Sequence, residues 1–365
     1  MNTEAATKQI IKQELETMVK DRVIWGFSLA FVEKEKADLS YHGVMGSTSP
    51  YDSLPVKKGL FYDLASLSKV IGTTSRILQL VEAHELSLDT PVAQLLPRFS
   101  WNAITVGHLL LHCSGLPAEI PDKYQLTWEN ILDRLYRTAP ECKPEEQFVY
   151  SDVGYILLGL IIQEGIGLKN PESLGKSFQH HVFAPLNMNH TSFPVPAQKK
   201  LCLPTEMTEK RGLICGEIHD SKAWLLGQSG SAGLFSTLED LTTFVQAYLT
   251  KSSKLFSKET FQLIQNTEQF GRTYGWSQEY GKGTLYHTGF SGTSILMDWN
   301  KSEGMILLTN RIHPDRNNLV FLERRKELNQ IWLRGSREYL LPFPFLFVFD
   351  SFSQGIFTNY FPFPQ

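Results

Sequence analysis

The chain has 365 residues, 42% of them hydrophobic and 20% charged, with a formal net charge of -3. That length allows a large core and two domains, and the composition is that of an ordinary soluble globular protein. Without a long basic run the chain lacks the electrostatic footprint of a nucleic-acid binder, and no nucleic-acid partner is expected.

Ile11, Leu15 and Met18 mark one face of an amphipathic helix over residues 4–20. The apolar and aromatic run 23–32 has strand character. The polar turn Glu33-Lys34-Glu35-Lys36 leads to a second strand over 39–44, so a hairpin is predicted. After a loop at 51–59, Asp63 is placed to cap a helix in which Val70, Ile71, Ile77, Leu78 and Val81 fall at helical spacing. From about residue 85 to 215 the pattern is mostly helical, broken by Pro and Gly. It includes a helix over 104–112 stopped by Ser114-Gly115-Leu116-Pro117, another over 128–136, and a third capped by Ser151. A Gly- and Ser-rich stretch from Gly227 to Gly233 precedes a helix through Leu241, Phe244 and Tyr248. Strands return at 284–288, 294–299 and 305–309, and 319–333 reads as a closing helix. Strand-and-helix ends around a helical middle predict an α/β (α+β) fold. Its antiparallel sheet is flanked by helices and built from both termini, residues 1–84 and 216–333, with a mostly helical domain, residues 85–215, inserted.

Four cysteines, Cys113, Cys142, Cys202 and Cys215, are spaced too irregularly for a zinc site or a disulfide framework. His84-Glu85 lacks the second histidine of H-E-x-x-H, and His180-His181 reads as a polar loop, so no metal or cofactor is expected. The N-terminus shows no basic stretch followed by an apolar run, which makes a cytoplasmic location the default expectation.

The stretch Asp63-Leu64-Ala65-Ser66-Leu67-Ser68-Lys69 reads as the mouth of a helix carrying a reactive serine. Ser66 and Lys69 are three residues apart and share a helix face. In the first turn Ser66 meets backbone N–H groups without intrahelical partners and the positive end of the helix dipole. A serine hydroxyl is a weak nucleophile until a base takes its proton. Lys69 can steer that proton, and the free N–H groups can hold the oxyanion that forms. By itself S-x-x-K is a weak pattern, since Ser173-Leu174-Gly175-Lys176 also satisfies it in a polar stretch without catalytic partners. Read singly, Tyr150 is a half-buried aromatic, Asp152 a helix-start carboxylate, His287 a strand-face histidine, and Thr288-Gly289 an ordinary bulge.

Together and in order, Ser66-Leu67-Ser68-Lys69, Tyr150-Ser151-Asp152 and His287-Thr288-Gly289 resemble the three motifs of the penicillin-recognising serine hydrolases. These are the class C β-lactamases, D,D-peptidases and related esterases and muropeptide amidases. Leu109 to Pro117 is similar to the family's H-T-S-G-L segment, with Cys113 in place of threonine. Pro185 to Met188 is similar to P-L-G-M, and Ala232 to Thr237 to A-G-L-x-S-T. The resemblance spans roughly residues 5–333. It implies a serine hydrolase that cleaves an ester or amide through an acyl-enzyme, without metal or cofactor. Ser66 would be acylated, Lys69 would hold Ser66 and the tyrosine in one hydrogen-bonded cluster, and Tyr150 would act as base. Asp152, His287, Thr288, Gly289 and Phe290 would bind substrate, with the N–H groups of Ser66 and Phe290 forming the oxyanion hole.

Two positions depart from the family pattern. Asp152 stands where asparagine is usual. A carboxylate offers acceptors but no N–H, and it stabilises a charged Lys69, which favours Tyr150 as the base. His287 stands where lysine is usual. An imidazole largely neutral at pH 7 favours a neutral ester or internal amide, with carboxylate-bearing substrates binding better below pH 6. Ile218-His219-Asp220-Ser221-Lys222-Ala223 resembles a muropeptide-amidase segment. It makes His219 and Asp220 further candidates, although Asp220 is equally a helix cap, and Ser231 replaces that pattern's histidine. The expected partner is a small-molecule or peptidoglycan-fragment substrate. A penicillin-binding sensor that acylates without turnover fits the same motifs. The aromatic-rich tail, 334–365, lies outside the resemblance. It is read as a greasy segment packing on a neighbour or a membrane surface, or as a reading-frame artefact.

Overall fold

A computed structural model describes residues 3–169, 171–193 and 199–335; the aromatic-rich segment after Gly335 lies outside the described residues. The strands, in chain order, are β1 (Gly26–Glu33), β2 (Ala37–Gly43), β3 (Tyr62–Asp63), β4 (Pro204–Thr208), β5 (Gly212–Cys215), β6 (Phe235–Ser236), β7 (Thr284–Thr288), β8 (Ser294–Asp298) and β9 (Glu303–Leu308). The helices are α1 (Thr3–Lys20), α2 (Ser75–Glu82), α3 (Val92–Leu95), α4 (Val106–Leu110), α5 (Ile131–Arg137), α6 (Asp152–Glu164), α7 (Leu174–Phe178), α8 (Ser221–Leu226), α9 (Leu238–Leu249), α10 (Lys258–Asn266) and α11 (Val320–Arg334).

Five strands form one antiparallel sheet in the order β2-β1-β9-β8-β7, so both ends of the chain supply it. The seam is β1 against β9, with Ser28 opposite Leu308 and Phe31 opposite Met305. Side chains alternate across it as the pleat requires. Phe27, Leu29 and Phe31 pack under Ile11, Leu15 and Met18 of α1 and Phe321, Leu328 and Ile331 of α11. Ala30, Val32, Ile306 and Leu308 face the larger core, which they share with α2, α4, α6 and α9. Each large apolar side chain buried this way contributes about 1.5–3 kcal/mol relative to exposure. The expected antiparallel sheet flanked by helices is the sheet observed.

The segment 85–215, expected to be mostly helical, also carries strand: long loops separate its helices, and residues 204–215 form the β4–β5 hairpin. Pro204 and the polar side chains of β4 hide the period-two pattern that marks a strand. No helix among the described residues is long and apolar enough to cross a membrane.

Candidate active site

The predicted helix behind Ser66 begins differently from a plain α-helix. Ser66 lies in the turn just before it, Lys69–Thr74 winds as a π-helix, and only then does α2 follow. Short π segments occur often at functional sites. Asp63 is not the helix cap that was expected. It sits in β3, where one carboxylate oxygen accepts from the Ala65 N–H at 2.8 Å and the other from the His219 N–H at 2.8 Å. Ala65 holds a left-handed φ of 45°, a conformation that costs a residue with a Cβ of order 1–3 kcal/mol. The Asp63 contact fixes that turn and sets Ser66, half-buried, at its apex.

Lys69 is fully buried. Its ammonium donates to Ser66 Oγ at 3.0 Å and to the Ser231 carbonyl at 2.8 Å, and lies 2.7 Å from Asp152 Oδ1. It also stands 5.0 Å from the centre of the Tyr150 ring. Burial disfavours its charge. The Asp152 carboxylate and the Tyr150 hydroxyl outweigh that penalty, so its pKa is raised and Lys69 is an ammonium at neutral pH. The Ser231 carbonyl can reach Lys69 because α6 packs on the chain at Gly230, where a Cβ would stand 2.1 Å from the Tyr155 carbonyl oxygen.

Tyr150 and Asp152 flank Ser151, the N-cap of α6, whose hydroxyl accepts from the Gly154 N–H at 3.1 Å. His112, itself at a φ of 57°, grips this corner. Its carbonyl accepts from the Val149 N–H at 2.9 Å, its Nδ1 accepts from the Ser151 N–H at 3.0 Å, and its ring lies 4.5 Å from that of Tyr150. Burial, Arg272 and Lys69 all push the His112 pKa well down, so the ring that holds Tyr150 is neutral.

The third motif closes the cleft. Ser291 Oγ donates to the Asp63 carbonyl at 2.6 Å and Thr293 Oγ1 to the Leu64 carbonyl at 3.2 Å, binding the turn after β7 to the turn before Ser66. Gly289 makes that approach feasible, since a Cβ there would stand 2.3 Å from the Leu64 carbonyl oxygen and 2.2 Å from Thr293 Oγ1. The N–H groups of Ser66 and Phe290 donate no hydrogen bond among the described residues. Thr288, half-buried at the end of β7, uses its carbonyl to accept from His287 Nδ1 at 3.0 Å. His287 Nε2 is therefore the unprotonated nitrogen, and it is buried without a partner among the described residues. Burial, Arg272 and Lys69 hold the His287 pKa well below its ordinary value. This corrects the expectation of a gain in carboxylate binding below pH 6, because a ring so enclosed does not take a proton there.

The other candidates take supporting places. His219 is buried behind Phe290, which it stacks on at 5.7 Å, and its Nε2 donates to Glu206 at 2.8 Å. Arg311 and Arg316 cover the same 44% exposed Phe290 ring at 5.0 and 5.4 Å. Asp220 caps α8, accepting from the Ala223 N–H at 2.8 Å. Ser231 is fully buried, with its hydroxyl paired to Ser229 at 3.0 Å. The decoy pair Ser173 and Lys176 is exposed at α7.

Three residues at the site carried no role in the sequence reading. His112 lies inside the Leu109–Pro117 segment, and Lys222 inside the His219 segment beside one of its ion-pair partners, Asp220. Nothing near Arg272 in the sequence points to the cleft. Arg272 is 8% exposed, with Nη2 donating to the Gly275 carbonyl at 3.1 Å and Nε lacking an acceptor among the described residues, and its guanidinium lies 5.1 Å from the Phe148 ring centre. Among the described residues no carboxylate lies within salt-bridge distance of it, although its charge depresses both His112 and His287.

A serine hydroxyl, a buried ammonium and a tyrosine ring meet between the end of β7 and the N-terminus of α6, an arrangement of the kind serine hydrolases use. The beta-lactamase family model matches residues 11–328, and the chain belongs to that family. A putative D-alanyl-D-alanine carboxypeptidase of Escherichia coli (strain K12) is 27% identical, over 77% of this chain and 79% of the relative. The N-acetylmuramyl-L-alanine amidase of Bacillus subtilis (strain 168) is 28% identical, over 73% of this chain and 72% of the relative. The crystal structure of a beta-lactamase/D-alanine carboxypeptidase from Pseudomonas syringae shares the fold, with a TM-score of 0.71 at 18% identity, over 92% of this chain and all of that one.

Proposed function

We propose that the chain is a hydrolase that cleaves an ester or amide through an acyl-enzyme on Ser66. The observation that carries the reading is the half-buried Ser66, whose hydroxyl lies 3.0 Å from a buried Lys69 ammonium that also lies against the Tyr150 ring. Lys69 already holds its proton, so it orients Ser66 rather than deprotonating it. Acting in its phenolate form, Tyr150 takes the Ser66 proton and becomes the phenol as Ser66 Oγ attacks the carbonyl. The attacked carbonyl oxygen becomes an oxyanion against the N–H groups of Ser66 and Phe290. Tyr150 returns the proton to the leaving group, then activates the water that releases the acyl chain.

A peptidoglycan fragment is the substrate class that the names of the relatives favour. Arg272 adds a reason. It is a buried cation with no carboxylate in salt-bridge distance among the described residues, close to the place where the third motif has exchanged lysine for His287. A carboxylate on the substrate would satisfy it. The decisive experiment is a panel of p-nitrophenyl esters, nitrocefin, D-alanyl peptides and muropeptides, run beside a fluorescent penicillin label and a Ser66→Ala control. Turnover of any member that is lost in Ser66→Ala supports the proposal. A stable label without turnover makes the chain a penicillin-binding sensor instead. Turnover that survives Ser66→Ala refutes the assignment of the nucleophile.

A further inference from the structure

Outside the three motifs, three acidic segments converge on one buried lysine. Lys222 of α8 is 4% exposed, and its ammonium lies 2.7 Å from Glu119 Oε2, 3.1 Å from Asp220 Oδ2 and 3.2 Å from Asp152 Oδ2. The other Asp152 oxygen is the one 2.7 Å from Lys69. Asp152 therefore bridges two buried ammonium groups, and turning it away would leave Lys69 without a carboxylate among the described residues. We propose that Lys222 is a positioning residue for the Ser66 reaction: by holding one oxygen of Asp152 it keeps the other on Lys69, so that Lys69 stays an ammonium and Tyr150 has to take the Ser66 proton. The proposal rests on the serine-hydrolase reading of the site.

The surroundings favour this over a purely structural salt bridge. The Glu119 and Asp220 side chains are 40% and 23% exposed, so water can satisfy them if Lys222 is lost. Asp152 is only 17% exposed, and its main chain is tied down by its N–H donating to the Ala118 carbonyl at 2.9 Å. Burial works against the Asp152 charge, and Lys69 and Lys222 together overcome it, holding the carboxyl below its usual range. The charged groups facing this pair are Glu119, Asp220 and Lys69, with Arg272 and the neutral His287 farther into the cleft. An ammonium on each side gives Asp152 the paired geometry that a single lysine does not.

The test follows the Asp152 carboxyl by 13C NMR in the full chain and, in parallel, the pH dependence of Ser66 labelling by a fluorophosphonate. In the unaltered protein Asp152 is expected to titrate below the ordinary value of about 3.9. Lys222→Met is expected to raise it by about one to three pH units, and the acid limb of Ser66 labelling should rise with it. Lys222→Arg should restore both. With Asp152→Asn already in place, Lys222→Met should no longer move the limb. The proposal is overturned by a labelling rate that drops equally at every pH with the limb in place, or by an arginine that restores stability but not the limb. An ordinary Asp152 titration in the unaltered protein overturns it even if Lys222→Met fails to fold. A Ser66 that never labels sinks the hydrolase reading itself, whereas normal labelling with an unmoved limb sinks only the role of Lys222.

Discussion

Replacing Asp152 with asparagine removes one charge from between two buried ammonium groups while barely changing shape. At 2.7 Å from Lys69, and with an effective dielectric of about 20, the lost attraction is about 6 kcal/mol. Part of it survives: the amide oxygen still accepts from Lys69, the Ser231 carbonyl remains in place, and Lys222 keeps Glu119 and Asp220. A net loss of about 3 kcal/mol in stability is expected, at the low end for breaking a buried pair. The pH dependence has a definite sign. The folded Asp152 carboxyl lies below its unfolded value, so its contribution is complete above about pH 4 and is lost as pH falls through the folded value. Urea unfolding of both proteins at pH 7 and again near pH 2 measures this: the gap should be wide at the first and narrow at the second. Burial, now less opposed, should also lower the Lys69 pKa, so that Ser66 labelling in the variant gains a dependence on pH near neutrality. Equal stabilities at pH 7, or a gap of the same size at both pH values, would refute the ion-pair account.

Gly289→Ala forces a methyl group against the Leu64 carbonyl and Thr293 Oγ1. It should cost about 1–3 kcal/mol in urea unfolding and slow Ser66 labelling, because the Phe290 N–H moves away; unchanged labelling would show that this N–H plays no part. His112 and His287 should remain neutral below pH 6 by 15N NMR, since burial lowers both pKa values. Because the unfolded imidazoles still bind protons near pH 6.5, stability should decline as pH drops through that value, by up to about 1.4 kcal/mol per pH unit for each ring. An imidazole titrating near 6.5 in the folded protein contradicts this. Arg272→Met should raise KM for carboxylate-bearing substrates about tenfold or more while sparing neutral esters, the scale of losing one charge-assisted hydrogen bond. Equal losses on both classes would remove Arg272 from substrate recognition.

Local sequence determined much of this protein. Alternation in β1 and β9 and the helical spacing of α1 and α11 follow from a pleat and a helix burying one face each, and those periods are written in consecutive residues. The order of Ser66, Tyr150 and His287 marked the cleft for the same reason, since each motif is a local string. What only the tertiary structure decided is the electrostatics. Asp63 looked like a cap until the fold carried its second oxygen to the His219 N–H, 156 residues away. His287 looked like a group that protonates below pH 6 until the fold buried it beside Arg272 and Lys69. Lys222 carried no role in its local segment, and it gained one only where the fold brings Glu119 and Asp152 to it from distant segments. A side chain's charge state depends on how much water it loses and which charges it meets, and both are set by residues remote in the chain.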